Sequence, residues 1–122
     1  MADEDVRSAV EAASRRWQAA FNGGDAAGCA AAYETGAVMT AAPFGTFTGR
    51  AEIEAFWAKI IADGFAEVEY IEPEIQVLDE HSALLSSKWR MNKAHGVITK
   101  ELWVLQADGS ALLREDAFEV LG

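Results

Sequence analysis

The chain has 122 residues, 51% of them hydrophobic, which is the length of one ordinary domain with enough apolar content to bury a core. Twenty acidic against ten basic residues give a net charge of −10, a field that repels phosphate backbones and anionic lipid, so neither nucleic acid nor a membrane surface is expected as a partner. No apolar run approaches the roughly 20 residues needed to cross a bilayer. Cys29 stands in no metal-ligand spacing, and His81 and His95 are distant turn residues, so no metal and no cofactor are expected. The opening "MADEDVRSAV" carries neither a basic n-region nor an apolar h-region, and a reducing cytoplasm is the expected compartment.

From Asp5 to Phe21 the apolar residues Val6, Val10, Ala13, Trp17 and Phe21 recur at steps of three and four and end at "NGG", the pattern of an amphipathic helix with a glycine stop. Asp25 offers an N-cap for a short second helix, "AAGCAAAYE", ended by Gly36. The stretch "AVMTAAPFGTF" carries Pro43 and reads as one strand, or as two short strands joined by a turn. Gly49 opens a third helix with Glu52 as its capping-box partner and a stripe of Ile53, Phe56, Trp57, Ile60 and Ile61, which Gly64 stops.

Beyond Gly64 the period changes to two. "FAEVEYIEPEIQVLDE", "SALLSSKWRMNK", "GVITKELWVLQ" and "SALLREDAFEV" read as an antiparallel series of long strands, with Pro73 marking a bend or an edge and "EVEYIEPE" a solvated or dimer-rim face. Helices followed by strands point to a single α+β domain over residues 1–122, its helices covering one face of a curved sheet.

In the last hairpin, Asp108-Gly109 is the signature of a two-residue turn. Counting outward from it places Glu101 opposite Asp116, with Cβ atoms about 5 Å apart. At an effective dielectric near 20 two carboxylates there repel by about 3 kcal/mol, or about two pK units, so either a cation intervenes or one acid keeps its proton. Strict alternation puts Thr99, Glu101, Trp103, Leu105, Leu112, Arg114, Asp116 and Phe118 on one face, with Arg114 over the Trp103 ring. Facing inward against Trp17, Phe21, Phe56 and Trp57, these residues enclose an apolar cavity with a few polar groups, the usual character of a small-molecule site. Met39 and Trp89 read as core or pocket wall, and Tyr33 is a further candidate that hydrogen-bonds into the pocket, with an ordinary packed tyrosine as its plainer reading. The alternative is that both acids face outward and pair with Arg114 and Lys100.

Three passages resemble the superfamily of nuclear transport factor 2, ketosteroid isomerase and the SnoaL-like polyketide cyclases. "FNGGDAAGCAAAYETGAV" is similar to its helix, Gly-Asp, short helix and Tyr passage, "GRAEIEAFW" to its Gly-Arg-x-x-Ile helix opening, and "DGSALLREDAF" to its last hairpin. The resemblance implies three N-terminal helices over a cone-shaped, strongly curved antiparallel sheet (a cystatin-like roll), a homodimer through the outer sheet face, and a pocket between helices and sheet. It also places Glu101 where ketosteroid isomerases carry a protonated Asp and Trp17 where they carry a Tyr. Their catalytic base has no counterpart, because "TAAPFG" holds Ala41 and Ala42 there. Limonene-type epoxide hydrolases, with two acids bridged by an arginine, offer an analogy for Glu101, Arg114 and Asp116, although Thr99 stands where their arginine does.

Two functions follow as expectations. One is a small-molecule-binding domain with a mostly apolar pocket formed by Trp17, Phe21, Tyr33, Met39, Phe56, Trp57, Trp89, Trp103 and Phe118. The other is an isomerase, cyclase or hydrolase acting on a small apolar carbonyl or epoxide, with Glu101 and Asp116 as acid and base and Arg114 setting their protonation.

Overall fold

The structure is a computed structural model that describes the backbone of residues 2–122 and the side chains of residues 4–122. Helix α1, Ala2–Asn22, forms on the expected stripe: Val6, Val10, Ala13, Trp17 and Phe21 are all buried. Gly24 in the left-handed region (φ 75°) turns the chain out of it. Asn22 clamps the helix end by donating from Nδ2 to the Val68 carbonyl at 3.2 Å and accepting from the Val68 N–H at 2.7 Å. Asp25 caps α2, accepting from the Gly28 N–H at 2.9 Å. A side chain at Gly28 would collide with that carboxylate, which makes the glycine a requirement of the cap.

Helix α2 is shorter than expected, Ala26–Ala30, and Tyr33 and Glu34 belong instead to strand β1, Tyr33–Ala42. The reason is tertiary. The Ala32 carbonyl accepts from the Leu113 N–H at 2.8 Å, so the last strand has already recruited the chain into the sheet. Strand β2, Gly45–Thr48, folds back on β1. Helix α3, Arg50–Ala62, starts at Gly49 (φ 86°), and the Glu52 carboxylate accepts from the Thr48 N–H at 2.9 Å, one residue before the cap where the capping box was expected to close.

The remaining strands are β3, Glu69–Val77, β4, Ser82–Arg90, β5, His95–Leu105, and β6, Ala111–Val120. The sheet order is β2-β1-β6-β5-β4-β3, a curved open sheet with helices packed on it. Every pairing is antiparallel except that of β1 with β6, so the sheet is mixed. Pro73 lies in the edge strand β3, beside an irregularity between Ile71 and Glu74 where Glu72 takes a φ of 52°. No helix among the described residues is long and apolar enough to cross a membrane.

The β5–β6 hairpin departs from the expected geometry in an informative way. Gln106 accepts from Gly109 and donates to the Ser110 carbonyl, and Leu105 faces Ala111, so three residues, Ala107, Asp108 and Gly109, form the loop. Gly109 supplies the positive φ (88°) that such a loop needs at its end. The extra loop residue slips the register by one, so that Trp103 faces Leu113. A bulge then leaves Arg114 unpaired on β6 and shifts the register back, so that Glu101 does face Asp116. A second irregularity at Thr99 on β5 reverses the shift, returning Ile98 to face Phe118.

These bulges change which residues point inward. Ala111 and Leu113, expected outside, are buried, while Leu112 is partly exposed and Arg114 and Thr99 are exposed. Glu101, Trp103, Asp116 and Phe118 face the helices as expected.

Candidate active site

Between the helices and the curved sheet lies a cavity of about 190 Å³. Its wall is aromatic: Trp17 from α1, Phe56 and Trp57 from α3, Tyr70 from β3, Trp89 from β4 and Phe118 from β6. The rings brace one another, with Trp17 and Trp57 edge to face at 5.0 Å between centroids and Trp57 stacked on Phe118 at 5.7 Å. Phe44, in the turn between β1 and β2, and Lys93, between β4 and β5, are exposed residues that also line it. The Lys93 ammonium donates to the Asp63 carbonyl at 2.6 Å and stands 4.8 Å from the centre of the Phe65 ring.

The polar groups of the cavity converge on the two acids, Glu101 and Asp116, which are 4% and 5% exposed. Trp103 donates its indole N–H to Glu101 Oε1 at 2.9 Å, and the Tyr70 hydroxyl lies 3.4 Å from Oε2. Tyr33 donates to Asp116 Oδ2 at 2.7 Å, and the Trp57 indole N–H donates to the Tyr33 oxygen at 3.4 Å. Among the described residues two buried polar atoms, Asp116 Oδ1 and Trp17 Nε1, have no partner.

Among the described residues no cation reaches the pair. Arg114 points to the other side of the sheet, its Nε 2.8 Å from Glu34 Oε1 and its Nη2 3.3 Å from Oε2, and it holds the Glu34 carboxyl below the usual range. Inside, burial raises both acids. Glu101 is held well above the usual carboxylate range by burial and then by Asp116, and Asp116 is pushed up to about 7 by burial, with the Tyr33 hydrogen bond opposing. Tyr33 and Tyr70 are pushed up by burial and by the acids beside them, and so keep their protons. The arrangement can hold a proton among two carboxyls in an apolar enclosure at neutral pH, which suits a proton donor or acceptor. Among the described residues no group of three or more His, Cys, Asp or Glu side chains comes together to hold a metal ion.

The family model of the SnoaL-like domain matches residues 14–109. The chain belongs to this family. Solved structures agree on the fold. A ketosteroid isomerase-like protein from Erwinia carotovora atroseptica superposes with a TM-score of 0.80 at 17% identity, over 94% of this chain and 95% of its own. A scytalone dehydratase candidate from Novosphingobium aromaticivorans gives 0.82 at 16% identity, over 99% and 87%. A Nostoc punctiforme protein of unknown function with a cystatin-like fold gives 0.79 at 15% identity, over 94% and 90%. No curated protein matches the sequence. The SnoaL-like fold supports a small-molecule-binding or enzymatic domain.

Within this SnoaL-like domain the expected site residues fall into three groups. Trp17, Phe56, Trp57, Trp89, Glu101, Asp116 and Phe118 line the cavity together. Phe21, Tyr33, Met39 and Trp103 are fully buried and stand outside the lining, where Tyr33 and Trp103 act by holding the acids. Arg114 is on the opposite side, because the bulge at its own position rotates it away from Trp103 and Asp116. Sequence reasoning missed Tyr70, which was read within a solvated strand face. No local signal marks it: only the register that pairs it opposite Trp89 places it on the aromatic side of the sheet.

Proposed function

We propose that the protein binds a small, mostly apolar molecule carrying one hydrogen-bonding oxygen function in the cavity above Glu101 and Asp116. The observation that carries this reading is the pair of orphaned buried atoms, Asp116 Oδ1 and Trp17 Nε1, on two residues that line an otherwise aromatic wall. A buried polar atom without a partner costs about 1–3 kcal/mol, and a ligand hydroxyl or carbonyl would remove that cost. The volume suits one or two rings, since a cavity of about 150 Å³ holds benzene. Native mass spectrometry of freshly purified protein, followed by saturation-transfer NMR with 2-naphthol, tests it. A retained small molecule, or probe binding that Trp17→Phe and Asp116→Asn weaken, is the expected result. Absence of both would overturn the proposal.

A second reading, favoured by the proton held in the acid pair, is an enzyme that moves a proton on a carbonyl or epoxide substrate, with Glu101 and Asp116 as the acid–base pair. Names of isomerase and dehydratase type among the similar structures accord with it. For any substrate found by screening, Glu101→Gln should lower turnover by at least about 100-fold, and full turnover by that variant would remove the reading.

We also infer a homodimer through the outer sheet face. Its support is the partly exposed Leu102 and Val104; Leu113, expected to join them, is inside. Sedimentation at micromolar concentration should give the dimer mass, and a monomer alone would contradict the inference.

A further inference from the structure

We infer that Tyr33 is a positioning residue that makes Asp116 the proton acceptor of the acid pair and leaves Glu101 the proton donor. The inference rests on the proposed role of the pair and deepens it. Its basis is the direction of the hydrogen bonds, which the chemistry of the donors dictates. An indole N–H can only donate. Trp57 Nε1 therefore occupies a lone pair of the Tyr33 oxygen, and the single Tyr33 hydrogen goes to one of two acceptors, Asp116 Oδ2 at 2.7 Å or the Met39 sulfur at 3.6 Å. A thioether is a weak acceptor, and 2.7 Å is a well-formed O–H···O hydrogen-bond length. Asp116 Oδ2 is thus committed to accepting.

The same reasoning distinguishes the remaining oxygens. Trp103 Nε1 can only donate, so Glu101 Oε1 is likewise an acceptor. A proton on the pair is left with Glu101 Oε2 or Asp116 Oδ1. Oε2 has the Tyr70 hydroxyl oxygen at 3.4 Å, and a hydroxyl rotor can accept as readily as donate. Oδ1 has no partner among the described residues, so a proton there would be buried and unbonded. The proton rests on Glu101, and Asp116 presents its bare Oδ1 as the free acceptor of a cavity-lining residue.

The groups facing the pair do not reverse this choice. Tyr33 from β1, Tyr70 from β3 and Cys29 from α2 are all kept neutral by their raised pKa values, with the thiol at about 12. Helices α1 and α3 present Trp17 and Trp57, which do not titrate, and Lys93 is the one cation among the lining residues. The electrostatics agree in direction: burial raises both acids, the Asp116 charge adds to the rise at Glu101, and the Tyr33 hydrogen bond opposes it at Asp116.

The test is a pH titration of the ligand-free protein with ¹³C-labelled Asp and Glu carboxyls, followed by NMR from mildly acid to alkaline pH. An Asp step near neutrality is expected in the wild type, lost in Asp116→Asn and retained in Glu101→Gln, since an amide replaces a carboxyl that was already uncharged. Tyr33→Phe should raise the midpoint by about one to two pH units, the worth of a hydrogen bond to a charged group. Trp57→Phe should raise it by less, and it serves if Tyr33→Phe loses its near-ultraviolet circular dichroism. A near-neutral step that belongs to Glu, or that Glu101→Gln abolishes, would overturn the inference. So would a natively folded Tyr33→Phe, or in its place Trp57→Phe, whose midpoint stays put. Because no ligand takes part, a cavity that binds nothing would refute the binding proposal and leave this titration standing.

Discussion

In the half of β6 next to the turn, Ala111 and Leu113 point into the core and Leu112 outward; in the half that carries the acid, Asp116, Phe118 and Val120 take the inward places. The two halves of one strand are in opposite phase, with Arg114 and Glu115 both exposed at the junction. A one-residue slip ordinarily exchanges the buried and solvent faces of a whole strand. Here an additional loop residue makes the slip and a bulge cancels it, so the turn-proximal half can fill the core while the distal half still sets an acid opposite Glu101. The bulge also separates two electrostatic regimes. On its outer side Arg114 meets Glu34 in water; on its inner side two acids meet without a cation.

The largest expected effect tests the phase itself. Leu113→Asp places a charge at a position 1% exposed and should cost about 4 kcal/mol or more in urea unfolding, enough to unfold a marginal domain. Leu112→Asp, on the partly exposed side, should cost about 1 kcal/mol or less. Regular alternation through the whole strand requires the opposite ranking.

The next effect separates the two electrostatic regimes by pH. Asp116 in the folded chain sits near 7, above its unfolded value of about 4, so the native state binds more protons in between. Stability should therefore be highest at the acid end of that window and fall by about a few kcal/mol as pH rises to about 7, and Glu101, also raised by burial, contributes with the same sign. Glu34, with its carboxyl held low by Arg114, contributes with the opposite sign: its stabilisation is present above the unfolded value and lost as pH falls. In denaturant melts across pH, the Glu101→Gln/Asp116→Asn double variant should flatten the fall toward neutrality and leave the acid-side loss. A double variant with the wild-type slope would mean that the pair is not the source.

The smallest effect is expected from Arg114→Ala. With its side chain 56% exposed, the ion pair to Glu34 should be worth under about 1 kcal/mol by urea unfolding, and the Asp116 titration should not move. A displaced midpoint would restore the bridging role that the residue types alone suggested for this arginine.

Much of the architecture is legible in residue order alone. The stripe from Val6 to Phe21, the Asp25 cap, the glycines at 49 and 64 and the change of period beyond Gly64 are local signals, each set by backbone conformation or by one amphipathic face. They define the helices, the strands and the aromatic set that meets in the cavity. The facing of Glu101 and Asp116 was also reached from the sequence, but by way of a two-residue turn that the chain does not make; the loop has three residues and the bulge restores the count.

What the tertiary structure alone decided lies where contacts between distant segments override local preference. Parallel pairing with β6 ends α2 early and brings Tyr33 beneath Asp116. The bulge at Arg114 sends that arginine to Glu34, and the pairing of β3 with β4 carries Tyr70 to Glu101. Spacing along one chain fixes neither the register between strands nor the points where an added residue breaks it. The composition of the site is therefore written in the sequence, while its hydrogen bonds, and with them the place of the proton, arise from the pairing of the sheet.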